Sequence, residues 1–99
     1  MKHPIAPAVY IIASHRNGTL YTGVTSDLVK RIWQHREGTI EGFTQCYGCK
    51  RLVWFEHHAT MEHAIAREKR IKAGSRKRKI ALIETLNRNW RDLWFDICR

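Results

Sequence analysis

Asn17-Gly18 stands between two short runs, Ala8 to Ala13 and Leu20 to Val24, that carry Val, Tyr, Ile and Thr. Both residues of the dipeptide tolerate the positive φ that two-residue hairpin turns require. Runs this short and this rich in β-branched and aromatic residues read as strands rather than helices. The chain is therefore committed to a β-hairpin near its start. A two-residue turn would oppose Tyr10 to Thr25 and set Tyr10 and Tyr21 on one face of the sheet, because side-chain direction alternates along a strand.

The remaining elements follow from caps and periodicity. Thr25, Ser26 and Asp27 offer N-cap side chains for a helix ending at Gly38, with Leu28, Val29, Ile32 and Trp33 as its apolar stripe. Residues 38–50, with three glycines, read as a loop. Leu52-Val53-Trp54-Phe55 makes Arg51 to His57 a third strand. Thr60 caps a helix that ends near Gly74, and Ser75 caps another that reaches about Leu86. Trp90, Leu93, Trp94 and Phe95 give the tail enough apolar area to fold back onto the core. The order ββαβαα, with a single β-α-β passage, predicts an α+β fold: a small three-stranded antiparallel sheet flanked by helices. At 99 residues the chain is expected to form one domain over 1–99.

Charge narrows the partner. Lys and Arg number 18 against 9 Asp and Glu, a net charge of +9. A domain this basic repels itself unless it meets an anion, and nucleic acid is the usual polyanion. No apolar stretch is long enough to span a bilayer, so no membrane partner is expected. The Met1-Lys2-His3-Pro4 start leads to no small-residue cleavage site, and three cysteines cannot all pair. Both features predict a reducing, cytoplasmic location. Nothing in the sequence sets an oligomeric state.

Some residues stand where a bland fold would not put them. Met61, Ala64, Ile65 and Ile71 form one stripe of their helix, and Glu68 falls in its middle with Lys72 a turn later. From Arg67 to Lys79, Glu68 is the one acid among eight Lys and Arg. A carboxylate turned toward a core is costly unless it is paired or binds a metal, so Glu68 reads as a salt-bridge partner of Lys72, a metal ligand or a general base. Arg31 and His35, four apart, share a flank beside their helix's stripe, and taken alone the pair reads as a solvated face. Asn87 joins the Ile80/Ile83 face, where an amide usually ties down backbone. Cys46-Tyr-Gly-Cys49 followed by His57 and His58 is half a zinc motif, and the cysteines are expected to be idle. The run Arg76-Lys77-Arg78-Lys79 is read as a phosphate-contacting patch.

Taken together these residues resemble the GIY-YIG endonuclease superfamily. Tyr10 stands at the closing Tyr of the first signature triplet, with Val9 in its middle and Ala8 at its leading Gly. The second triplet is Tyr21-Thr22-Gly23. Arg31 follows Tyr21 by ten residues and His35 comes four later, as in the family's helix. Glu68 is similar to the family's metal-binding glutamate and Asn87 to its late asparagine. Val24 stands where some repair members carry a Lys. The resemblance implies a stand-alone endonuclease hydrolysing phosphodiester bonds of nucleic acid, DNA first, with Mg²⁺ or Mn²⁺ held by Glu68. Tyr10, Tyr21, Arg31, His35 and Asn87 would be catalytic, and Gly23 and Lys72 supporting. Arg31 would clamp the phosphate with its two-pronged guanidinium. An ordinary tyrosine, with a pKa near ~10, is too weakly acidic to act as a base at neutral pH. Arg31, Lys72 and the metal are expected to lower that of Tyr10 until it can take a proton from water. Tyr21 and His35 would orient that water or relay its proton, and Asn87 would hold the glutamate or nearby backbone. The alternatives are a nucleic-acid-binding module without cleavage, or a small basic protein docking through Trp54, Trp90 and Trp94.

Overall fold

The computed structural model describes residues 6–39 and 48–98. Its elements are β1 (Ala8–Ala13), β2 (Leu20–Thr25), α1 (Leu28–Glu37), β3 (Arg51–His57), α2 (Met61–Ala73), α3 (Arg76–Leu86) and a short α4 (Trp94–Ile97). The three strands form one antiparallel sheet in the order β2-β1-β3. This is the expected α+β arrangement, with α4 added where the sequence suggested only a returning tail.

β1 is the central strand, and all six of its residues are buried. That explains why its sequence is unbrokenly apolar rather than alternating: both faces of the strand meet core. On one face Ala8, Tyr10 and Ile12 pack with Leu28 and Ile32 of α1, Leu52, and Leu93 and Ile97 of the tail. On the other, Val9, Ile11 and Ala13 pack with Ala64 and Ile71 of α2, Ile83 of α3 and Trp90. The β1–β3 register slips between Ile11 and Ile12, which oppose Trp54 and Leu52. Val53 is the extra residue, so Val53 and Trp54 both reach the second face.

The hairpin differs from expectation in length but not in consequence. Ser14 N donates to Thr19 O at 3.0 Å and Gly18 N to His15 O at 2.9 Å, so the loop has four residues, with Asn17 at φ 59°. Tyr10 now opposes Gly23 rather than Thr25. A register shift of two leaves every side chain on its original face, and the two tyrosines still share one.

The caps fall where the sequence put them. Asp27, Thr60 and Ser75 accept the N–H of the residue three later, and Gly38 closes α1 at φ 72°. The predicted stripes need correction at their margins. Trp33 is 50% exposed and Phe95 68% exposed, while Trp54 and Trp90 are buried. The tryptophans proposed as a docking surface are thus mostly core. Cys49 is also core, with its Sγ 3.7 Å from Thr19 O, and burial raises its thiol pKa. Cys46, the other cysteine of the half zinc motif, lies outside the described residues.

Candidate active site

Tyr10 is fully buried on the α1 face, yet its hydroxyl has a polar partner: it lies 2.9 Å from His35 Nε2. Space for it comes from Gly23, the residue opposite it on β2, where a Cβ would overlap the Tyr10 hydroxyl and ring. Tyr21 stands one pair further along the same face, opposite Ile12. The rings of Tyr10, Tyr21 and His35 form a triangle with centroid separations of 6.4, 5.6 and 5.8 Å. His35 is therefore no part of a solvated face. It is buried, one turn beyond Arg31 on α1.

The protonation states follow from burial. Desolvation pulls His35 down to about 4, and the nearby Arg31 charge adds to that. The imidazole is neutral at neutral pH. Desolvation, then the neighbouring Tyr21, push the Tyr10 hydroxyl well above the tyrosine range, and Glu68 adds to the rise. Arg31 opposes this by charge and by a side-chain hydrogen bond, as the sequence suggested, but burial wins. The expected lowering of Tyr10 is thus reversed in the protein without metal. The two shifts agree with one arrangement: a protonated Tyr10 donating to an unprotonated Nε2.

α2 brings the acid. Glu68 is on the flank of α2 toward the tyrosines, close enough for its charge to act on Tyr10. Its side chain is 14% exposed, and Oε2 is 3.3 Å from Lys72 Nζ. Lys72 Nζ in turn lies 5.9 Å from the centre of the Tyr21 ring. The salt-bridge reading of Glu68 is correct as far as it goes, but Oε1 has no partner among the described residues. Nor do the described residues hold a group of three or more His, Cys, Asp or Glu able to bind a metal. The donor set is thus one hard carboxylate oxygen. That fits a Mg²⁺-like cation, which keeps several waters and takes substrate oxygens.

Two sequence-predicted residues go elsewhere. Asn87 caps α3, and its Nδ2 donates to Val53 O at 3.2 Å and Arg91 O at 2.6 Å, while Oδ1 accepts from Arg91 N at 2.9 Å. It ties the tail to β3 rather than holding Glu68. Arg76 donates to the carbonyls of Asn17 and Gly18, both at 2.7 Å, and so clamps the hairpin turn. Lys77 and Arg78 are exposed and Lys79 is half-buried. The sequence reading missed a polar groove of about 370 Å³ beside Arg31, lined by Thr25, Ser26, Asp27, Lys30 and Gln34. The signal was available: Lys30 and Gln34 are four apart and flank Arg31 on the same helix.

A three-stranded sheet whose central tyrosine meets a helical histidine, an arginine and a glutamate from the next helix defines a class. The chain belongs to the GIY-YIG family, whose catalytic-domain model matches residues 6–81. Within that family it is similar to UPF0213 proteins. One from Staphylococcus saprophyticus is 37% identical over 75 residues, covering 76% of this chain and 90% of the relative. One from Clostridium perfringens is 38% identical over 77 residues, covering 78% and 82%. The solution structure of a UPF0213 protein from Bacillus halodurans superposes with a TM-score of 0.55 at 30% identity, covering 87% of this chain and 90% of that one.

Proposed function

We propose that this protein is a divalent-metal-dependent endonuclease that hydrolyses phosphodiester bonds of nucleic acid, with DNA as its substrate. Membership of a nuclease-domain family supports the reaction class. The observation that carries the reading is the buried Tyr10–His35 hydrogen bond with Arg31 against it. A bound Mg²⁺ or Mn²⁺ on Glu68 would supply charge relief at the phosphate. The chain's own residues do the rest. Arg31 donates to a non-bridging oxygen of the phosphate entering from the groove beside it. The Tyr10 oxygen takes a proton from the attacking water as its own proton passes to His35 Nε2. This relay needs no tyrosinate in the resting protein, which is why the raised Tyr10 pKa is compatible with catalysis. Tyr21 orients the water and Lys72 fixes Tyr21 and Glu68. Asn87 acts on the backbone that supports the sheet. A cytoplasmic place of action goes with this reading, since Cys49 and Cys98 are free thiols.

Glu68→Gln is the decisive variant. Its ion pair with Lys72 is an i,i+4 contact to a half-exposed cation, so the loss of stability should stay under about 1 kcal/mol. The variant should melt like the wild type, bind DNA at least as tightly, and lose Mg²⁺-dependent cleavage. Melting, filter binding and a cleavage time course on one preparation test this. Cleavage at a comparable rate would remove Glu68 as metal ligand.

A further inference from the structure

α2 has two working flanks, and only one faces the tyrosines. At about 100° per residue, Arg70 and Gly74 lie roughly 120–160° around the helix from Glu68. Between that far flank and α3 is a cleft of about 260 Å³ lined by Arg67, Arg70, Arg78 and Lys79, with Ile71, Gly74 and Leu82. Arg67 is fixed there: its Nε donates to Glu56 Oε1 at 3.1 Å, and its guanidinium lies 5.9 Å from the Trp54 ring centre. Arg70, Arg78 and Lys79 have no ion-pair partner among the described residues.

We propose that this cleft is a second phosphoryl-binding site, separate from the cleavage centre and built from Arg70, Arg78 and Lys79 with Arg67 as its fixed wall. Three guanidinium groups and an ammonium around one cavity suit a tetrahedral, multiply charged oxyanion, because each guanidinium presents a planar fork to two oxygens. Glu56 offsets one positive charge at Arg67, and the cleft keeps a surplus of three. The volume is that of eight or nine waters at about 30 Å³ each. It admits a phosphoryl group with part of its sugar but not a duplex, so a strand would be gripped at one phosphate. Ile71 and Leu82 supply an apolar floor for the sugar. The site rests on the nuclease reading for its ligand: a strand lying across α2 would be held on one flank and cut on the other. The same chemistry would accept a free or terminal phosphate.

The test compares wild type, Arg70→Ala with Arg78→Ala, and the charge-matched control Arg16→Ala with Arg88→Ala, all four positions being exposed. Binding of a short DNA duplex is followed by anisotropy in EDTA across a salt series. The cleft variant should bind roughly tenfold more weakly at low salt, with a log–log salt slope shallower by about 2. The control should lose less of both. Amide resonances of Gly74, Arg78 and Leu82 are followed in titrations with inorganic phosphate and with duplex. Shifts with phosphate identify a site that takes a free phosphoryl group, and shifts with duplex alone identify a backbone diester. Either supports the site provided the cleft variant abolishes it. Absence of both, equal slopes in variant and control, or equal competition by a glutamate oligomer would overturn it. Glu68→Gln separates the two readings. If it still cuts, the cleavage mechanism fails while the cleft stands or falls on binding. If it is inactive and the cleft variant binds like the control, only the cleft fails.

Discussion

Gly23 owes its place to the ring it faces. Any side chain there must displace Tyr10, whose hydroxyl and ring occupy the space of its Cβ. Gly23→Ala should cost about 1–3 kcal/mol by overpacking, and cleavage should fall further than the folded fraction does. Melting and rate measured together distinguish this from simple destabilisation. His35 gives a pH signature. Its folded value of about 4 lies below the ordinary 6.5. As pH falls through the upper value the unfolded chain takes up a proton that the folded one refuses. Stability should therefore decline between about pH 6.5 and 4, by about 2 kcal/mol once partial solvent screening is allowed for, and level off below. Thermal melts of wild type and His35→Gln across that range check it: the variant should lack this part of the decline. The acid limb of cleavage belongs near 4 as well, not near 6.5. Tyr10, Tyr21, Arg31 and Glu68 were legible in the sequence as a spaced set. The burial of His35 was not, because helical periodicity puts it beside the stripe. It is buried against Tyr10 and Tyr21 on the sheet face that α1 covers, contacts set by tertiary packing.

At the scale of elements, caps and turn residues made most boundaries readable, since each cap side chain acts within three residues of its own position. What the sequence could not display was side-chain reach across the fold. Arg76 belongs to a run that reads as solvated charge, yet it closes the β1–β2 turn from 58 and 59 residues away. Asn87 lies on the buried face as expected, but its partners are Val53 on β3 and Arg91 in the tail. Removing that amide strands a buried carbonyl and frees the tail that carries Trp90. Asn87→Ala should thus destabilise the protein by about 2–3 kcal/mol, while cleavage per folded molecule stays near the wild-type level. Chemical denaturation and rates normalised to folded protein decide it. A rate collapse without loss of stability would place Asn87 at the reaction instead. The bulge at Val53 was equally hidden, because an extra residue in a wholly apolar strand leaves no mark on composition.

For the whole molecule, seven of the nine net positive charges fall within residues 67–79, on the two helices that bound the proposed cleft. Arg31 and Lys30 border one groove, and Arg67, Arg70, Arg78 and Lys79 line the cleft across α2. A strand bound as proposed would meet positive charge on more than one side. The position of Tyr10 has a further consequence. Its strand is flanked by neighbours on both edges and covered on both faces. Amide groups in such a strand exchange with solvent only when the entire molecule opens, whereas loop and terminal amides exchange through local fraying. Hydrogen–deuterium exchange should therefore rank Tyr10 and Ile11 among the slowest positions, with a protection energy equal to the global unfolding energy. Thermal loss of activity should then overlay the global melting curve, with no earlier step in which the centre loosens while the fold persists.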